Sequence, residues 1–247
     1  MKKLSIITVC LNAPKLELTC ESIVNQMFQD FEWIVIDGGS NGETLAIFEK
    51  YKYRMDYFVS EPDGGIYYGM NKGMRHACGE WVNFMNAGDM FIVKNVLQKI
   101  FYDSDAPEDA DVLYGKEYVE GKRIMIHPDT ITKQFLYKQT LRHQSTFIRR
   151  TRCIPYDTSY RYAADWKFFI NLYNAGAKFK RLERVVSVFD GDGVSRRNSE
   201  SPQRLEELSR VQEECFSEEE RTLLEMHIAD AKEAKMSALW IQPRVKF

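Results

Sequence analysis

The chain has 247 residues, 44% of them hydrophobic and 28% charged, with a formal net charge of -2. That length and apolar content suffice for one large domain with a buried core, or two small ones, and they argue against intrinsic disorder. A near-neutral charge supplies no basic field for nonspecific nucleic-acid binding, so a nucleic-acid partner is not expected.

Five cysteines, Cys10, Cys20, Cys78, Cys153 and Cys215, are scattered with no C-x-x-C pair. They suggest neither a zinc knuckle nor a disulfide framework, but buried free thiols in a reducing cytoplasm. Lys2, Lys3 and the apolar run 4–11 imitate a short secretory leader. Asn12-Ala13-Pro14 offers no small-x-small cleavage site, however, and the run reads as a buried strand. No later stretch is long enough to span a bilayer. A cytoplasmic protein is expected, with peripheral contact at the inner face of a membrane left open.

In chain order, residues 4–10 (LSIITVC) form an apolar, β-branched run typical of a parallel strand buried on both faces. Pro14 opens a helix with Leu16, Leu18, Ile23, Val24 and Met27 as core candidates. Residues 31–36 (FEWIVI) are the second strand, ending in Asp37-Gly38-Gly39-Ser40, and 44–50 a short helix. Residues 57–60 are a third strand, ending at Glu61-Pro62-Asp63-Gly64-Gly65. Ile66, Met70, Met74 and Ala77 then share one helical face, with Gly79 as its stop, and 81–85 (WVNFM) are the fourth strand. This alternation predicts right-handed crossovers and a mostly parallel α/β sheet flanked by helices.

Beyond Asp89 the order changes. Residues 93–102 read as a helix, 112–114 and 116–119 as short strands, with Gly121 turning into 123–126. A strand is predicted at 146–148 and a helix at 163–175. Residues 179–189 read as a strand pair or one long bent strand, and 191–199 as a loop. From Ser201 the chain is charged and helical, and Ser217-Glu218-Glu219-Glu220 is a good helix start.

The chemistry-bearing residues gather at strand ends, where an open α/β sheet builds its ligand site. Thr8, Asn12, Asp37 and Gly38 lie at the ends of the first two strands; Asp37 can accept an N–H from a nucleobase or cap its own turn. Asp63 beside Gly64 can bond ribose or sugar hydroxyls, or simply make a Pro-Asp-Gly turn. In Asn86-Ala87-Gly88-Asp89 an apolar strand delivers one carboxylate, a hard oxygen ligand suited to Mg²⁺ or Mn²⁺ together with substrate phosphates. His143, in Arg142-His143-Gln144-Ser145, is a candidate phosphate, sugar or metal contact, or a structural histidine. Asp165 opens an amphipathic helix, where the dipole stabilises its charge and a cleft would make it a proton acceptor. The segment 190–197, with two glycines and Arg196-Arg197, suits a loop over a diphosphate.

Together, SIITVCLN, WIVIDGGS, SEPDGGIYYGMNKG, GEWVNFMNAGD, RHQSTFIRR, AADWKFF and FDGDGVS resemble the family 2 glycosyltransferases with a GT-A fold. Within that family the chain looks most like bacterial enzymes of surface-polysaccharide and colanic-acid-type clusters. The resemblance implies a GT-A domain over 1–200, with a nucleotide-sugar-binding half at 1–90 and an acceptor and catalytic half at 91–200. Residues 201–247 would be a helical extension.

It also implies roles. Thr8, Asn12 and Asp37 would hold the base, Asp63 would sit near uridine or ribose, Asp89 would carry the metal, and Asp165 would be the general base. Gly38, Gly64, Asn71, Asn86, Gly88, His143 and Arg196 complete the expected donor site. Departures from the family pattern are Asp89 as the only acid of its motif, Tyr68-Gly69 where Asp-Ala is common, and Ala164 where Glu is common. The Gln-x-x-Arg-Trp signature of processive synthases is absent.

The function expected is inverting, metal-dependent transfer of a single sugar from a nucleotide-sugar, UDP-linked, to a saccharide or lipid-linked acceptor in polysaccharide biosynthesis. A homo-oligomer is an open possibility. Two rivals remain at this stage. One is a nucleotidyltransferase, disfavoured because Leu11-Asn12-Ala13-Pro14-Lys15 lacks a Gly-rich phosphate loop. The other is a nucleotide-sugar-binding protein that has lost catalysis.

Overall fold

The computed structural model describes residues 1–103, 109–121, 123–189 and 200–240. Its nine strands form one sheet in the order β3-β2-β1-β4-β8-β6-β9-β5, with β7 paired to β6. They are β1 (Leu4–Cys10), β2 (Phe31–Asp37), β3 (Tyr57–Ser60), β4 (Trp81–Phe84), β5 (Met90–Phe91), β6 (Val112–Val119), β7 (Arg123–Met125), β8 (Thr146–Arg149) and β9 (Phe179–Phe189). The helices are α1 (Leu16–Val24), α2 (Gly42–Tyr51), α3 (Ile66–His76), α4 (Val96–Phe101), α5 (Lys133–Lys138), α6 (Ala164–Asn174), α7 (Pro202–Cys215) and α8 (Glu218–Trp240).

Strands β1 to β4 are mutually parallel, so their carboxyl ends share one edge. β8 turns antiparallel to β4 and β6, and β5 antiparallel to β9. The apolar runs are continuous because both faces are covered. Ile7, Val9, Ile34 and Ile36 enter the core shared with Met70 and Phe169, while Leu4, Ile6, Trp33 and Val35 enter the one shared with Leu16 and Phe48. Helix α3 lies on β1 and β2. It comes close because Gly69 and Gly73 face the sheet; a Cβ there would stand 2.6 Å from Val9 Cγ1 and 2.4 Å from Ile7 Cγ2.

Several expectations are corrected. Leu18, Met27 and Ile66 are exposed, so the apolar faces of α1 and α3 are narrower than their spacing suggested. Gly79 is not the α3 stop: the helix ends at His76, and Gly79 packs on β1, its N–H donating to Ser5 Oγ at 2.9 Å. The segments 112–114 and 116–119 are one strand, β6, with a register irregularity around Gly115 against β9. β9 is itself the single long strand. Helix α5, capped by Thr132 Oγ1 accepting from Phe135 N–H at 3.1 Å, was not foreseen, nor was β5. Cys10 and Cys20 are buried, but Cys78 is exposed, and all five thiols are free.

Val211 and Phe216, from the segment after residue 200, are buried in the same cluster as Trp166 and Phe168. Among the described residues no helix is long and apolar enough to cross a membrane. The aromatic and cationic end of the chain, 241–247, lies outside the described residues, as does the 190–197 loop with Arg196.

Candidate active site

The end of β2 is closed by its own carboxylate. Asp37 Oδ2 accepts from Ser40 N–H at 2.8 Å and from Ser60 Oγ at 2.6 Å, while Ser40 Oγ donates to Oδ1. With 0% exposure, this carboxylate organises its turn and the β2–β3 junction, the capping alternative that the sequence also offered. Thr8 likewise has its polar atom engaged within the protein. It is fully buried, and its Oγ1 accepts from Trp33 Nε1 at 3.0 Å on the side facing α1 and α2. Sequence spacing placed both residues near the strand ends, but not the direction of their side chains.

Asn12 stays exposed at the rim. Its φ of 46° lies in the left-handed region that Asn tolerates. Its N–H donates to Ser40 Oγ at 2.7 Å, and its Oδ1 accepts from Asn41 N–H at 2.9 Å, so the first two strand-end loops are tied together.

At the end of β3, Asp63 Oδ1 accepts from Gly65 N–H at 2.8 Å. Oδ2 is buried and has no hydrogen-bond partner. A buried carboxylate oxygen left so costs about 1–3 kcal/mol, which a ligand hydroxyl would offset. The backbone of Gly38 faces this carboxylate, since a Cβ there would stand 3.3 Å from Oδ1. Gly64 is covered by the Tyr68 ring, 2.6 Å from where its Cβ would be. Asp63, Gly64, Tyr68, Asn71 and Arg75 line an open cleft of about 420 Å³. Asn71 does not reach out for a ligand as expected. Its Nδ2 donates to Tyr156 O at 2.8 Å and its Oδ1 accepts from Tyr156 N–H at 2.7 Å, clipping the 153–158 segment to α3.

The fourth corner continues the pairing of β4 with β1. Asn86 Oδ1 accepts from Val9 N–H at 3.3 Å. Gly88, at φ 105°, turns the chain so that its N–H donates to Thr19 Oγ1 at 2.9 Å. Asp89 N–H closes the turn on Asn86 O at 3.0 Å.

Asn86 also sets the state of His143. Its Nδ2 is a donor 3.1 Å from His143 Nε2, so that nitrogen accepts and the ring proton sits on Nδ1. Nδ1 faces Asp165 Oδ2 at 4.0 Å. Burial, and then the Arg142 charge, push the imidazole down to about 4, so it is neutral at neutral pH. His143 therefore lies between Asn86, which it contacts, and Asp165, 4.0 Å away, as a neutral ring.

Asp165 lies in the first turn of α6, where Oδ1 accepts from Tyr67 Oη at 3.2 Å and from Trp166 N–H at 2.9 Å. Its pKa is nonetheless raised: burial outweighs the Arg142 charge and these bonds. Burial, then the Asp165 charge, hold the Tyr67 hydroxyl well above its ordinary value, so it stays a donor. Tyr67 and Arg142 were missed as members of the site. Both act on Asp165 across long sequence separations, which no local pattern encodes.

The donor set allows a test of the divalent ion that the strand-end acid suggests. Among the described residues no three His, Cys, Asp or Glu side chains cluster as a protein-only cage. Asp89 alone, 7% exposed at a tight turn, fits a hard cation that takes its remaining oxygens from a substrate and water.

Carboxylates gathered at the strand ends of an α/β sheet mark a ligand-binding enzyme site, and comparison with known proteins gives its class. A sequence profile described as Glycosyl transferase family 2 matches residues 5–169. A PGL/p-HBAD biosynthesis glycosyltransferase of Mycobacterium bovis is 30% identical over 189 residues, covering 74% of each chain. Among solved structures, S. aureus TarS 1-349 in complex with UDP-GlcNAc superposes with a TM-score of 0.69 at 23% identity, covering 86% of this chain and 65% of that one. The mannosyltransferase PcManGT of Pyrobaculum calidifontis, in complex with GDP-Man and Mn²⁺, gives 0.61 at 15% identity, covering 84% and 64%. The chain thus spans somewhat less than two thirds of the length of these two solved chains. It belongs to glycosyl transferase family 2, is a glycosyltransferase, and has the GT-A fold.

Proposed function

We propose that the protein transfers a single sugar from a nucleoside-diphosphate sugar, with uridine as the nucleoside, to a hydroxyl of a saccharide or lipid-linked saccharide, inverting the anomeric centre. The observation that carries this reading is the placement of Asp165. It is a half-buried carboxylate with raised pKa, bonded by Tyr67 and lying 4.0 Å from His143, which Asn86 of the corner ending in Asp89 contacts. A carboxylate made more basic by burial is suited to take a proton at neutral pH.

Asp165 Oδ2 accepts the proton of the acceptor hydroxyl while that oxygen attacks the anomeric carbon. The bond to the diphosphate oxygen breaks on the opposite face, and the nucleoside diphosphate leaves. Tyr67 Oη and the Trp166 N–H hold the carboxylate in place, which contributes through orientation. Asp63, which lines the open cleft, would take a ribose or sugar hydroxyl, and Asn12 would take the base. Asp89 would hold Mg²⁺ or Mn²⁺, which when bound supplies charge neutralisation of the diphosphate. A UDP-linked donor is supported by the UDP-GlcNAc complex of TarS, and a divalent ion by the Mn²⁺ complex of PcManGT.

The test is to incubate the full chain with UDP-sugars and saccharide acceptors, follow UDP release, and assign the product anomer by NMR. Inverted product, lost in Asp165→Asn, is expected. Product that keeps the donor's configuration would refute the displacement mechanism.

A further inference from the structure

Helix α6 carries Asp165 but has no local cap: its N-cap residue is Ala163, which has no side-chain acceptor. The backbone N–H groups leading into it are held from elsewhere. Glu207 of α7, only 6% exposed, accepts three of them. Its Oε1 takes Arg161 N–H at 2.9 Å, and its Oε2 takes Tyr162 N–H at 2.7 Å and Ala163 N–H at 3.1 Å. One carboxylate thus ties down three consecutive amides, the last two residues before Asp165.

The rest of α7 holds it there. Val211 is fully buried beneath α6, Lys167 Nζ reaches Glu214 Oε2 at 2.5 Å, and Tyr160 Oη reaches it at 2.9 Å. Residues 202–215 lie beyond the 5–169 span of the family match.

We propose that Glu207 is a positioning residue for the reaction, fixing the lead-in of α6 so that Asp165 meets the acceptor hydroxyl. Helix α7 then helps to position the catalytic residue. This rests on the reading of Asp165 as the base.

The groups facing Asp165 are Tyr67 from α3, Arg142 and His143 from the turn before β8, and Tyr156 from the clipped segment. Glu207 acts behind them. Its loss would remove a negative charge, free the partial positive charge of three N–H groups, and open the α6 lead-in to water. All three effects favour the ionised form of Asp165.

The deciding measurement is a ¹³C NMR titration of the Asp165 carboxyl in the full chain, for wild type, Glu207→Gln and Glu207→Ala, with Asp165→Asn assigning the resonance. The midpoint is expected to fall by about half a pH unit or more in Glu207→Ala and by less in Glu207→Gln. If Glu207→Ala does not fold, Glu207→Gln decides. A midpoint in folded Glu207→Gln within about 0.1 unit of wild type overturns the proposal. Full turnover by Asp165→Asn would instead remove the base reading and leave this coupling standing, so the two failures are distinguishable.

Discussion

Glu117 offers a quantitative test of how the buried polar layer beneath the site is built. It lies in β6 with 0% exposure, and its Oε1 accepts from Gln144 Nε2 at 2.6 Å. Its Oε2 has no hydrogen-bond partner, although Arg142 Nε stands 3.7 Å away, and Gln144 Oε1 is also buried without one. Both of these buried oxygens lack a donor, and a proton on Glu117 removes the charge from the first. Burial pushes the carboxyl from 4.5 up to about 7, against a smaller opposing pull from Arg142.

Between those two pH values the folded chain holds a proton that the unfolded chain has released, so stability falls as pH rises. The contribution is fully present below 4.5 and gone above about 7. At about 1.4 kcal/mol per pH unit, the rise from 4.5 to about 7 is worth on the order of 3 kcal/mol. Because the side chain is fully buried, solvent screening does little to reduce this.

Glu117→Gln removes the titration and the buried charge while keeping an acceptor for Gln144 Nε2. Urea denaturation of both proteins between about pH 4.5 and 8 isolates the effect, because other titrating groups cancel in the difference. The variant is expected to gain about 3 kcal/mol relative to wild type across that range. A difference that stays constant within about 0.5 kcal/mol would refute the reasoning.

Other outcomes follow from the same geometry. Asp165→Asn should abolish transfer and raise the thermal midpoint at neutral pH. A carboxyl whose folded pKa is raised contributes stability below its unfolded pKa and loses it as pH rises through the folded one; calorimetry at neutral pH showing no gain would count against the burial argument. Thr8→Val should leave nucleotide affinity unchanged and cost about 1 kcal/mol or more, because it leaves Trp33 Nε1 without an acceptor. A large loss of nucleotide affinity in that variant would restore Thr8 as a ligand contact.

What the sequence made legible was the sheet half that pairs in order. β1, β2 and β4 are buried on both faces, so their apolar runs are continuous and their carboxyl ends predictable. The acids at those ends were found as residues, but not as roles. Asp37 and Asp63 both precede glycines, yet Ser40 and Ser60 consume the first, while the second keeps an oxygen without a partner. That difference depends on which loop lies opposite, a tertiary fact. Helix α5 had a readable signal in Thr132 before Phe135. Tyr67 and Glu207 had none, because each meets the α6 start from a distant segment.

The central claim is that the carboxyl ends of β1 to β4 hold a nucleoside diphosphate, with Asp89 supplying its metal. Calorimetric titration of UDP into the full chain, with Mn²⁺ or with chelator, for wild type and Asp89→Ala, tests it most directly. The expected result is binding by wild type in Mn²⁺, greatly weakened by chelator and lost in a folded Asp89→Ala. UDP affinity that is the same in chelator and in Asp89→Ala, or no binding under any condition, would contradict it.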